Sequence, residues 1–188
     1  MGRFKIWHEH QIDLPVVRQS TNYDCGPACL RSICQYYGAG PDDEDWYIDA
    51  CEADPDVGTH PENLIKVAKK LKLQVKAHEK LTIEELTKFI DEKKPVICAI
   101  QAWSEPEDYN KLEDGHYVIA IGYDDKRVYF EDPSLKNVRG HLDHGEFDKR
   151  WKDVGKNNRK LNHFGLVIWK DTKPSKERSK PSKSSRIA

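Results

Sequence analysis

The chain has 188 residues, 37% of them hydrophobic and 34% charged, with 31 Lys and Arg against 32 Asp and Glu for a formal charge of -1. That length, with five tryptophans, suffices for one domain with a real core. No apolar run approaches a membrane span, and the N-terminus lacks the apolar stretch and cleavage site of a secretion signal.

Cys25, Cys29, Cys34, Cys51 and Cys98 are an odd set of cysteines without such a signal. That argues against a disulfide framework and for free thiols in a reducing cytoplasm.

Leu14-Pro15-Val16-Val17 reads as a short extended lead-in broken by proline. Over residues 25–37, apolar and small positions recur at three- and four-residue steps, which predicts a helix with one buried face. Pro27 falls in its first turn and Gly38 at its end. The acids of residues 41–45 suit a second helix start, with Trp46, Ile48 and Cys51 as its apolar side. Pro61 opens a third helix whose stripe is Leu64, Val67, Ala68 and Leu71. A strand is predicted at 73–77. Thr82-Ile83-Glu84-Glu85 resembles a capping box for a fourth helix burying Ile83, Leu86 and Ile90.

From Pro95 onward the pattern changes. Residues 96–102 are nearly all apolar and read as a central strand. Further strands follow at 116–123, 127–131 and 164–169, with Asp124-Asp125-Lys126 as a hairpin turn. A short helix spans 143–151. Helices followed by a mostly antiparallel sheet make an α+β domain over residues 1–170.

Residues 171–188 differ in composition. From Lys170 to the end there are seven Lys and Arg against two acids, without apolar periodicity. That predicts a disordered basic tail, a solubilising terminus rather than a nucleic-acid site, with at most a weak polyanion contact.

Chemistry concentrates at two places. Cys25 stands where the first helix begins, and free N–H groups with the helix dipole favour a thiolate there. His116 leads a strand from the other half of the chain, so the pair would face across a cleft as nucleophile and base. The imidazole needs a partner to hold its tautomer. Asp132, after the neighbouring strand, is the best placed, with Asp124 as competitor. The Cys25 N–H and the Gln19 side chain can hold an oxyanion. Cys29, Cys34, Cys51 and Cys98 read as buried small hydrophobes. Gln101, Trp103 and Tyr123 fit packing better than a cleft lining. His8 and His10, or His141 and His144, match no zinc framework. No metal or other cofactor is expected.

At these residues the chain resembles the papain-like family of bacteriocin-processing, double-glycine leader peptidases. The matching stretches begin with Arg18-Gln19-Ser20 and run through Asp24-Cys25-Gly26-Pro27-Ala28-Cys29-Leu30 to Tyr36-Tyr37-Gly38. They continue with Gly58-Thr59 to Leu71, Gly115-His116-Tyr117-Val118, Asp132-Pro133-Ser134 and Glu146-Phe147 to Arg150-Trp151. The resemblance covers roughly residues 14 to 170. It implies a papain-like fold with Cys25 as nucleophile, His116 as base, Asp132 as orienter and Gln19 in the oxyanion hole. Best-known members are domains of peptide-exporting transporters, whereas this chain carries neither membrane helices nor a P-loop and reads as a stand-alone relative.

The expected activity is cleavage of a peptide or isopeptide bond through a Cys25 thioester, with a Gly-Gly leader as one substrate class. An acyltransferase or transpeptidase with the same triad, and a non-catalytic peptide-binding module, are the alternatives. A peptide or protein is the expected partner. Loops around 52–60 and 103–114 would set specificity, and Glu105, Glu107, Asp108, Glu113 and Asp114 hint at a basic ligand.

Overall fold

In the computed structural model, which describes residues 10–136, 138–171 and 184–186, the helices come first and the sheet follows. Helix α1 is Cys25–Tyr36, α2 Glu44–Ala50, α3 Pro61–Lys70 and α4 Ile83–Asp91, with strand β1, Gln74–His78, between the last two. Strands β2 (Val96–Gln101), β3 (Gly115–Tyr123), β4 (Arg127–Glu131) and β5 (Arg139–Asp143) then lead to helix α5, His144–Arg150. A small hairpin, β6 (Lys152–Val154) with β7 (Lys160–Asn162), precedes β8, Gly165–Trp169, and a last strand β9 covers Ser184–Arg186.

Seven strands form one sheet in the order β1-β8-β2-β3-β4-β5-β9. All pairs are antiparallel except β5 with β9. Every residue of β2 is buried, and so is nearly all of β3, because helices cover these central strands. Their unbroken apolar runs follow from having no solvent face. Helix α4 starts with the expected capping box: the Thr82 hydroxyl accepts from the Glu85 N–H, and the Glu85 carboxylate accepts from the Thr82 N–H.

Several elements depart from expectation. In α2 the fully buried side chain is Tyr47, with Trp46 only partly buried. Asp43 caps this short helix, which sets its inward face to Tyr47 and Cys51. Strand β5 and the β6–β7 hairpin were not anticipated, since their residues are charged and short-range in pattern. The tail expected to be disordered lies mainly outside the described residues. Its described residues, Ser184–Arg186, run parallel to Arg139–His141, where β5 would otherwise leave an unpaired edge.

The lead-in segment is tied down by charge. Glu131, at the end of β4, is 1% exposed and lies between the guanidinium groups of Arg18 and Arg139. Arg139 also reaches Asp13 and the Leu14 carbonyl. Burial pushes the Glu131 carboxyl above its ordinary pKa despite both arginines. The Gln19 N–H donates to the Pro133 carbonyl at 3.0 Å, and Arg18 donates to the Asp132 carbonyl at 3.3 Å. The segment carrying Gln19 is thus fastened to the loop carrying Asp132. Removing one member of such a buried network costs about 3 kcal/mol. Glu131→Gln should lower the urea midpoint at unchanged slope; an unaltered midpoint would deny the network any structural weight.

Candidate active site

Helix α1 begins at Cys25 because Asp24 turns the chain there. Asp24 is buried, yet its carboxylate does not cap the helix. It accepts instead from the Ser20 N–H, the Thr21 N–H and the Thr21 hydroxyl. An aspartate at this position ordinarily accepts from the second or third N–H of the helix. Here the helix start is left without a side-chain acceptor, and Pro27 brings no N–H of its own. The positive end of the α1 dipole is therefore directed at the Cys25 thiol.

His116, second residue of β3, is 2% exposed. Its Nε2 lies 2.8 Å from Asp132 Oδ1. The same Asp132 oxygen accepts from the Ser134 N–H at 2.8 Å and the Ser134 hydroxyl at 2.7 Å. Burial pushes the Asp132 carboxyl up, and the bonds from His116 and Ser134 more than reverse it, so it ionises below the usual range. An ionised carboxylate can only accept. The proton therefore sits on Nε2, and Nδ1 remains for the thiol. Burial lowers the His116 pKa, but hydrogen bonds to Asp132 and Cys25 outweigh it, and the imidazole is raised to about 10. That imidazole, beside Cys25, is the group that can take up and return the thiol's proton.

Asp124 does not approach His116. It holds the β3–β4 turn through the Lys126 and Arg127 N–H groups and the Tyr129 hydroxyl. Gln19 donates one amide N–H to the Thr21 carbonyl at 2.7 Å, leaving the second N–H of that group uncommitted. Trp103 leans over His116 with ring centroids 4.9 Å apart while half of it faces solvent. It is part of the site, contrary to the packing role expected of it. Tyr123 instead bonds Asp91 at the surface, and Gln101 is buried.

The other four cysteines are also free and buried. Burial pushes the thiols of Cys34 and Cys51 up to about 12 and raises those of Cys29 and Cys98 further. Among the described residues no group of three or more side chains could hold a metal ion, and no helix is long and apolar enough to cross a membrane. His8 lies outside the described residues.

The sequence profile of the peptidase C39 family matches residues 13–155, a span that includes Cys25, His116 and Asp132. The chain belongs to the peptidase C39 family. It is a cysteine peptidase of papain-like α+β fold. Solved C39 structures share that fold. A C39-like peptidase from Bacillus anthracis superposes with a TM-score of 0.68 at 19% identity, covering 89% of this chain and 98% of that one. A double-glycine motif protease from an AMS/PCAT transporter, solved with its leader peptide, gives 0.60 at 22% identity, covering 85% and 93%. The peptidase domain of Streptococcus ComA, a bifunctional ABC transporter of a quorum-sensing pathway, gives 0.60 at 18%, covering 84% and 98%. At these identities the likeness concerns the fold. Comparison with curated proteins found no match.

Sequence reasoning missed Ser134 and the Arg18–Glu131 pair. The Asp132-Pro133-Ser134 spacing is a turn signature that places a hydroxyl and an N–H at the aspartate, so Ser134 was recoverable. The ion pair joins residues 113 apart in sequence and left no local signal.

The thiolate fraction of an ordinary thiol at pH 6 is well under 1%. Iodoacetamide should therefore alkylate Cys25 alone at pH 6, about 10²-fold faster than in His116→Ala, with Asp132→Asn intermediate. The wild-type rate should hold steady toward pH 8, because His116 loses its proton only near pH 10. A Cys25 rate that rises only around pH 8.5 in wild type, read by peptide mass spectrometry, would show an unpaired thiol.

Proposed function

We propose that the enzyme cleaves a peptide bond through a thioester on Cys25. The bond network from Cys25 through His116 to Asp132, at a helix start stripped of its side-chain cap, carries this reading. The thiolate adds to the scissile carbonyl. The resulting oxyanion is met by the Cys25 N–H and by the second amide N–H of Gln19. His116 then protonates the leaving amine as the carbon–nitrogen bond breaks. Water, deprotonated by His116, adds to the thioester, and the Cys25 sulfur departs with the carboxylic product released. Asp132 keeps the imidazole in the tautomer that faces the thiol throughout.

A peptide segment is the substrate class, and a leader ending in Gly-Gly is the first to test. The supporting neighbour is a double-glycine protease in complex with its leader peptide. Five free thiols fit action in a reducing compartment.

With a Gly-Gly leader peptide, Cys25→Ala should reduce cleavage by at least about 10⁴-fold. Adding a primary amine should leave the product mass that of the free acid. Retained turnover in Cys25→Ala would refute the thioester, and amine incorporation would reassign the enzyme to acyl transfer.

A further inference from the structure

Gly115, immediately before His116, is exposed, and the carboxylate of Asp153 stands over it. A Cβ at Gly115 would lie 2.6 Å from both Asp153 oxygens. Asp153 is half-buried on β6, which pairs antiparallel with β7. Trp151 just before it is buried, donates its indole N–H to the Phe164 carbonyl at 2.9 Å, and stacks on His163. The Asp153 carboxylate accepts from the Gln101 amide at 3.2 Å and from the Val154 N–H. Gln101 is itself fixed, since its Oε1 accepts from the Asp114 N–H and its Nε2 also donates to the Lys152 carbonyl.

No Lys or Arg pairs with this carboxylate among the described residues, although the His116 imidazolium acts on it. Neighbouring Lys152 turns to Asn110, and Arg159 of the same hairpin pairs with Glu62 and Glu79. Burial lifts the Asp153 carboxyl to about 6, against the two hydrogen bonds and the charge of His116. Tyr117, on the same face of β3 as Gly115, donates its hydroxyl to the Thr59 carbonyl at 3.1 Å. The Thr59 hydroxyl is 95% buried with its residue and has no hydrogen-bond partner among the described residues. Beside the Cys25–His116 pair there are thus an exposed glycine, a carboxylate held over it without a Lys or Arg partner, and a buried hydroxyl without a hydrogen bond.

Resting on the peptidase reading above, we propose that Asp153 recognises a cationic side chain, lysine or arginine, of the peptide that lies against Gly115. The ammonium or guanidinium supplies the direct ion pair that no Lys or Arg of the described residues gives. The substrate passes beside exposed Gly115, with the Asp153 carboxylate standing where a Cβ would be. Charged and titratable groups facing this point are His116 and Tyr117 on β3 and Glu62 at the start of α3, with the Cys25 thiol beyond them. The acids of loop 103–114 add a general negative field, which a test must separate from Asp153 itself.

The probes are acetylated tripeptidyl chloromethyl ketones of alanine with lysine, norleucine or glutamate at one position at a time. The Cys25 sulfur–carbon bond forms as the carbon–chlorine bond breaks and chloride leaves, so inactivation needs no turnover. At pH 7.5 one position should show lysine about tenfold faster than norleucine and glutamate slower than either. In Asp153→Asn the lysine-to-norleucine ratio should fall close to one. In wild type the same ratio should fall as pH drops through 6, where the carboxylate takes up its proton, with the norleucine rate as internal reference. A wild-type ratio near one at every position, with Cys25 readily alkylated, would overturn the proposal and leave the peptidase intact. A ratio unchanged in Asp153→Asn would assign the preference to the general field and overturn it equally. Failure of every reagent, iodoacetamide included, to label Cys25 would instead remove the peptidase reading beneath it.

Discussion

The end of α1 set against β3 is the constraint on which the remaining geometry depends. A thiol at a helix start is only poised if an imidazole from elsewhere meets it, and here that imidazole comes from a strand begun 90 residues later. Close approach is possible because Gly26 carries no side chain where Tyr117 and Thr59 press in. One turn farther along, the Cys29 thiol donates to the Tyr117 carbonyl at 3.4 Å. Leu30 and Ile33 of the same helix are fully buried. A packed interior resists small displacements, so this contact sets the thiol–imidazole geometry as firmly as it stabilises the fold.

Around that contact, two buried carboxylates and a half-buried one meet desolvation in different ways. Glu131 is flanked by Arg18 and Arg139 and serves to fasten the N-terminal segment. Asp132, next in sequence, faces the imidazole and is held by Ser134, so its charge is placed at the service of the base. Asp153 has only neutral donors. Desolvation penalises all three, and what differs is whether the protein itself supplies the compensating charge. Two adjacent residues at the end of β4 thus divide the work of holding the fold and orienting the base.

Much of the fold was legible because its signals are local. The helix of α4 announces itself through a capping box and three apolar positions, and β2 through an apolar run bounded by Pro95. Strand β5 did not, because Arg139 is buried against Glu131 on the preceding strand and Asp13 far back in the chain, a pairing that no apolar alternation records. The hairpin of β6 and β7 is too short for a period to show. In α2 the inward residue depended on which acid became the cap. Trp103, an aromatic in an acidic loop, reads as packing until His116 appears beneath it.

The sequence by itself determined that a cysteine would begin a buried-face helix, that a histidine would lead a central strand, and that the domain would be α+β. Periodicity, caps and turn residues act over a few positions, and those positions are adjacent in the chain. Only the tertiary structure decided that Asp132 rather than Asp124 faces His116, that Asp24 leaves the helix start uncapped, and that Asp153 stands over Gly115. The first and last depend on groups far apart in the chain brought together, and the second on which of several nearby donors Asp24 meets once it is buried. The charge states that follow depend on burial, a property no single residue carries alone.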